Sequence, residues 1–166
     1  MKFGSREIAL TALFTAMYAI GVIFLAPISF WIYQVRVADA LLPLSMVFGF
    51  PAVIGLSLGC FVANLYGGLG IIDIFGGAIA NFAACTLAWL IGSEGTVRRI
   101  LGCLVETVIT TVIVGSYLSV IFGMPIEASL LGIFIGSLIS INLLGFALLE
   151  SLCRSKIVKS FIVKRD

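Results

Sequence analysis

The chain reads as an all-α integral membrane protein, a six-transmembrane-helix bundle with N- and C-termini cytoplasmic. Three observations predict this. Of its 166 residues, 61% are hydrophobic and 11% charged, against about half apolar and about a quarter charged in an average soluble domain. The mean hydropathy is +1.25, and a body this small keeps too much of its chain at the boundary to hide that much apolar surface from water. The apolar residues gather into six stretches, and the basic residues fall almost entirely on one side of the arrangement that six crossings create. Such a composition excludes a soluble globular enzyme, a disordered chain and a nucleic-acid binder with a basic face.

The six stretches cover residues 8–26, 38–50, 52–66, 71–91, 100–122 and 128–149. The second and third are short and separated only by Pro51; read as one tilted span, they reduce the count to five. The positive-inside rule decides between the counts. With six crossings, Lys2, Arg6, Arg98, Arg99, Arg154, Lys156, Lys159, Lys164 and Arg165 share one side and Arg36 stands alone on the other. With five, the split is two against eight and inverted. Six crossings follow, in a single transmembrane domain spanning residues 1–166. Lys2 and Arg6 before an apolar run resemble a signal peptide, but the run is long for one and no clear A-x-A cleavage site ends it.

Along the first span, Ala9, Ala12, Ala16 and Ala19 form a strip of small residues beside the bulky Leu13, Phe14, Met17 and Tyr18. Lipid tails give helices no hydrophobic reason to associate, so small residues mark close packing; this strip suits a neighbouring helix of the same chain or a partner protein. The following loop, residues 27–37, is outward and brings Trp31, Tyr33, Gln34 and Arg36. Its aromatic residues fit an interfacial belt or the roof of a pocket. Asp39 opens the second span three residues after Arg36, where the two can pair on one helical face. The third span has Gly55, Gly59 and Ala63 at four-residue spacing and closes with Asn64 and Tyr66. After the outward turn GGLG, Asp73 opens the fourth span and Asn81 lies two turns deeper, among Gly76, Gly77, Ala80 and Ala84. Glu106, Thr110 and Tyr117 share a stripe of the fifth. Glu127 sits at the mouth of the sixth, which contains Gly132, Gly136, Ser140 and Asn142. The tail beyond Cys153 alternates basic and apolar residues, as a segment facing lipid headgroups does. Cys60, Cys85, Cys103 and Cys153 are far apart and read as small buried hydrophobes.

Ionisable groups in a span cost about 2.5–3.5 kcal/mol each, so they have a role or a partner. Most of these converge on the outer half of the bilayer, where aromatic faces and amide or carboxylate groups suit an outward pocket for a small molecule. Glu106 lies on the order of 20 Å below the outer end of its helix, too deep for that pocket. It is either held by a neighbouring polar side chain or serves as an ion-coupling site. With no histidine, Ser–His–Asp relays and histidine metal sites are excluded. With no soluble nucleotide-binding module, uphill movement draws on an ion gradient or on a partner chain.

The stretch ISFWIYQVRVADALLPL, followed by PAVIGLSLGCFVANLYGGLGIIDIFGGAIAN, resembles the QueT family, substrate-binding subunits of energy-coupling-factor transporters. The matching positions are Gln34, Arg36, Ala38, Asp39, Ala40, Leu41, Gly59, Cys60, Ala63, Asn64, Gly70 and Asp73. The resemblance is ordered from about Ala9 to Ile91 and weak beyond. It implies six helices, a prokaryotic plasma membrane, and a site capped by the first outer loop. It also implies a transmembrane coupling protein and two ATPase subunits as partners, with the strip of Ala9, Ala12 and Ala16 docking the coupling protein. The implied substrates are queuosine precursors, flat 7-deazaguanine bases. The implied site comprises Trp31, Tyr33, Gln34, Arg36, Asp39, Asn64, Asp73, Asn81, Tyr117 and Ser137, with no cofactor, no metal and no catalytic residue. Two positions depart from the family's pattern: Ser137 after Gly136 where an acidic residue is usual, and Thr110 where an asparagine is common. The expected function is substrate capture for an ATP-driven importer. A self-sufficient ion-coupled carrier using Glu106 is the alternative, and a membrane-embedded enzyme is disfavoured by the missing histidine and the lack of paired intramembrane carboxylates. A purely structural subunit fits the outer polar cluster poorly.

Overall fold

The computed structural model describes residues 4–29 and 36–154, with the side chains of residues 28 and 29 excepted. All regular structure among these residues is helical. Six helical elements follow in order: α1 (Ser5–Phe24), α2 (Val37–Phe48), α3 (Phe50–Gly67), α4 (Ile71–Ile91), α5 (Gly95–Phe122) and α6 (Ile126–Arg154). A single turn, Ala26–Ser29, follows α1. All but α2 are long and apolar enough to cross a bilayer.

Helix α2 is the exception in length and in position. Its residues Val37–Leu44 are wound as a 3₁₀ helix containing Pro43, and Ser45–Phe48 add one α-helical turn. At the usual rises this covers about 22 Å, short of a hydrocarbon core of about 30 Å. It touches α1, α3, α4, α5 and α6, and most of it, from Ala38 to Val47, is buried. Irregular backbone is tolerated at membrane depth where protein rather than lipid surrounds it, which is the position α2 occupies. The break between α2 and α3 falls at Gly49, whose φ is 70°, rather than at Pro51. Pro51 sits in the first turn of α3, where a helix has no use for its missing N–H.

The long helices present apolar side chains outward and polar ones inward. Ile8, Ile20, Phe24, Phe75, Val112 and Ile135 are exposed, whereas Asn64, Asp73, Asn81 and Glu106 are buried. That is the reverse of a water-soluble domain and suits a lipid solvent. The chain is a multi-span, all-α membrane bundle.

Helices α1 and α3 approach closely through Gly55 and Gly59. A Cβ at Gly59 would stand 2.8 Å from the Thr15 carbonyl oxygen and 2.8 Å from the Tyr18 Cβ. The Thr11 and Thr15 hydroxyls lie 3.2 and 3.1 Å from the carbonyl oxygens of Pro51 and Gly55, binding across the same seam. This contact turns Phe14 and Tyr18 inward and leaves Ala9, Ala12 and Ala16 exposed, with only Ala19 of the alanine strip buried. At one end of the bundle, Arg99 pairs with Glu150 at 3.0 Å, joining α5 to α6, and Arg154 pairs with Glu150 at 3.3 Å.

The last helix widens midway. Leu138–Gly145 is π-helical, a form that gathers at functional sites. Here it brings Asn142 to donate to the Thr107 hydroxyl and Gly145 against Ala40 and Pro43 of α2.

Candidate functional site

The 3₁₀ start of α2 delivers Arg36 and Asp39 into the bundle, where both are buried. The Tyr18 hydroxyl of α1 donates to Asp39 Oδ1 at 2.5 Å. Arg36 Nη1 points at Cys60 Sγ of α3 at 3.5 Å. A cavity of about 10 Å³ lies beside them, lined by Arg36, Asp39, Asn81, Thr110, Val114, Ile133 and Ser137. That is room for about one water, so a purine-sized guest enters only when these walls separate.

A second polar group adjoins the first. Asn64 Nδ2 donates to the Asp73 carbonyl oxygen at 2.8 Å, tying the end of α3 to the start of α4. Tyr117 of α5 donates its hydroxyl to Asp73 Oδ1 at 2.9 Å. Because Nδ2 is committed to a carbonyl, Asn64 must turn its Oδ1 the other way, and neither Asn64 Oδ1 nor Asp73 Oδ2 meets a donor among the described residues. The two groups meet over Gly77. A Cβ there would run into Asn64 Nδ2, stand 3.1 Å from Cys60 Sγ and 3.5 Å from the Tyr117 hydroxyl. The absent side chain at Gly77 thus leaves the space in which Asn64, Cys60 and Tyr117 converge.

Of the expected site residues, Arg36, Asp39, Asn81 and Ser137 line the cavity, and Asn64, Asp73 and Tyr117 form the adjoining group. Trp31, Tyr33 and Gln34 lie outside the described residues. Thr110, one of the two departures from the family pattern, lines the cavity with the other, Ser137. Arg36 and Asp39, three residues apart, each also reach another helix, Cys60 of α3 for Arg36 and Tyr18 of α1 for Asp39. Tyr18 escapes sequence reasoning because a tyrosine among Leu13, Phe14 and Met17 reads as bulk. The usable signal is its hydroxyl, which rarely goes without a partner inside a protein. Cys60 escapes for a similar reason, since a lone thiol reads as a small hydrophobe.

Glu106 stands apart from this site, fully buried. Ser45 of α2 donates to its Oε1 at 3.4 Å, so a neighbouring polar side chain meets it, brought from another helix. Glu127 is exposed, and Tyr66 is exposed as well.

A multi-span bundle with a polar cluster closed inside it and an apolar exterior defines an integral membrane protein. The QueT transporter family profile matches residues 8–154, and the chain belongs to the QueT family. It is accordingly a transport protein rather than an enzyme. No curated protein and no solved structure matches the chain.

Proposed function

We propose that this chain is the substrate-capturing subunit of an energy-coupling-factor importer, and that it takes up a small heterocyclic nutrient, a queuosine precursor with a 7-deazaguanine base. The observation that supports this best is the buried polar cluster of a QueT-family chain, in which polar side chains at the start of α2 and from α4, α5 and α6 face one small cavity. The base lies among Arg36, Asp39, Asn81, Thr110 and Ser137, with Asn64, Asp73 and Tyr117 alongside and Trp31, Tyr33 and Gln34 closing over it. Aromatic faces stack on a flat base, and amide and carboxylate groups match its edge.

The whole chain acts as one transmembrane unit that crosses the bilayer six times, α2 and α3 counting as two crossings and both termini facing the cytoplasm. The distribution of basic residues supports this orientation. Two ATPase subunits hydrolyse ATP, and a transmembrane coupling protein docks on Ala9, Ala12 and Ala16. Two features support that docking: the three alanines are exposed, and a groove of about 500 Å³ beside them is lined by Ile8, Thr11, Ala12, Thr15, Ala16, Ala19, Leu58 and Val62. Ligand binding shifts the population toward the closed bundle, and rearrangement against the partner opens it inward.

The deciding experiment is uptake of a labelled 7-deazaguanine base into proteoliposomes. The expected result is uptake only when the coupling protein, both ATPases and ATP are present. Gradient-driven uptake by the single chain without ATP would replace this reading with an ion-coupled carrier.

A further inference from the structure

We propose that the first half of α6, Ile126–Ser137, is the lid of the cavity, and that the π-helical segment Leu138–Gly145 is the hinge on which it leaves α5 to admit the base; this rests on the reading of the cavity as the base-binding site. The two halves of α6 are held in different ways. Ile126–Ser137 packs along α5, and among the described residues no other helix meets it on a comparable scale. Its fastenings are few. Ser129 donates to the Gly115 carbonyl oxygen at 2.7 Å, and a Cβ on Gly115 would stand 3.2 Å from the Leu130 Cα. Ile133 enters a small apolar cluster with Ala80, Val114 and Leu118 that is separate from the main core.

From Ile141 onward the same helix is pinned. Ile141 and Leu149 belong to the main core, Asn142 donates to Thr107, Gly145 abuts Ala40 and Pro43 of α2, and Glu150 pairs with Arg99. The π segment begins where the loosely held half ends. Helices bend sharply at π turns, and a hinge is a short stretch that absorbs the backbone change while the parts on either side stay rigid. Ile133 and Ser137, in the last two turns before the hinge, are the wall that α6 gives the cavity. Bending there withdraws that wall and leaves Arg36, Asp39, Asn81 and Thr110 in place. The other walls are less free to move: most of α2 is buried and it touches five helices, and α4 is packed between α3 and α5. Segments that open are drawn from those with few buried contacts, which among the cavity walls is the first half of α6.

The test fastens the lid to α5. Gly115→Cys combined with Leu130→Cys puts a thiol on each side of their closest approach, and association of a 7-deazaguanine base with the purified full chain is followed by stopped flow with the disulfide formed and then reduced. The locked chain is expected to associate at about a tenth of the rate or less, because entry draws on the open population, and reduction is expected to restore the rate. An unchanged rate in the locked chain overturns the lid and leaves the base-binding reading standing. Should the double variant fail to fold, Ser129→Ala decides. It removes the hydrogen bond that holds the lid, so association and dissociation are both expected to quicken by about two- to tenfold; unchanged rates overturn the proposal. If the unaltered chain binds no base, the base reading falls and the lid is tested without ligand. Thr110→Cys then places a thiol in the cavity wall, and its reaction with a maleimide is expected to quicken by the same factor when Ser129→Ala is added; equal rates overturn the lid as well.

Discussion

Tyr18 reaches Asp39 from a helix whose other inward side chains are mostly apolar. The bond is buried, so its loss leaves a carboxylate oxygen with one donor fewer. Tyr18→Phe keeps the ring packed and removes only the hydroxyl. We expect it to cost about 1–3 kcal/mol, read as weaker base binding by the purified chain and a lower melting temperature in detergent; unchanged values in both would remove Tyr18 from the site. Glu106 makes the opposite case. Its neighbour on α2 is Ser45, and Glu106→Gln preserves both shape and that contact. Binding and ATP-driven uptake are expected to survive the change. Loss of uptake with intact binding would instead make the carboxyl a coupling group. Asp39, Asn81 and Ser137 were legible in the sequence because a polar residue inside an apolar run is conspicuous. Tyr18 and Cys60 were not, since each also passes for an ordinary core residue and only a partner brought from another helix reveals its role.

Among the elements, α2 governs the site. The sequence predicts a span at 38–50 from its apolar run, and the run is there, but 3₁₀ winding and the break at Gly49 shorten it to Val37–Phe48. Hydropathy reports the solvent a segment avoids, and an apolar run avoids water equally well in lipid or within a ring of other helices. Its central place could not be read from composition for that reason. The seam between α1 and α3 was legible as Gly55 and Gly59 at four-residue spacing, although the spacing did not say which helix they face. Gly59→Val places methyl groups where the Thr15 carbonyl and Tyr18 Cβ already stand. Overpacking of this kind costs about 1–3 kcal/mol, so melting in detergent should fall. Because Tyr18 shares the seam, base binding should fall with it. An unaltered melting curve would mean the helices separate at no cost and the seam is not a constraint.

At the scale of the whole molecule, one face of α1 binds the bundle and the opposite face does not. Ala9, Ala12 and Ala16 are exposed beside an apolar groove, so a bulky residue there disturbs no internal contact. Ala12→Trp or Ala16→Trp is expected to leave base binding and melting of the isolated subunit unchanged while abolishing co-purification with the coupling protein and uptake; persistent assembly would move the docking surface elsewhere. What the sequence by itself determined is the solvent, the class and the outline: 61% apolar residues in six runs leave lipid as the surrounding medium, and the ordered QueT positions name the family that the match over residues 8–154 then bears out. What only the tertiary structure decided is which polar groups meet. Asp39 with Tyr18, Arg36 with Cys60, and Asp73 with Tyr117 join residues 21, 24 and 44 positions apart. Pairings over such distances depend on how helices rotate and cross, which is set by the close approach of small residues and by the burial of α2, and local periodicity contains neither.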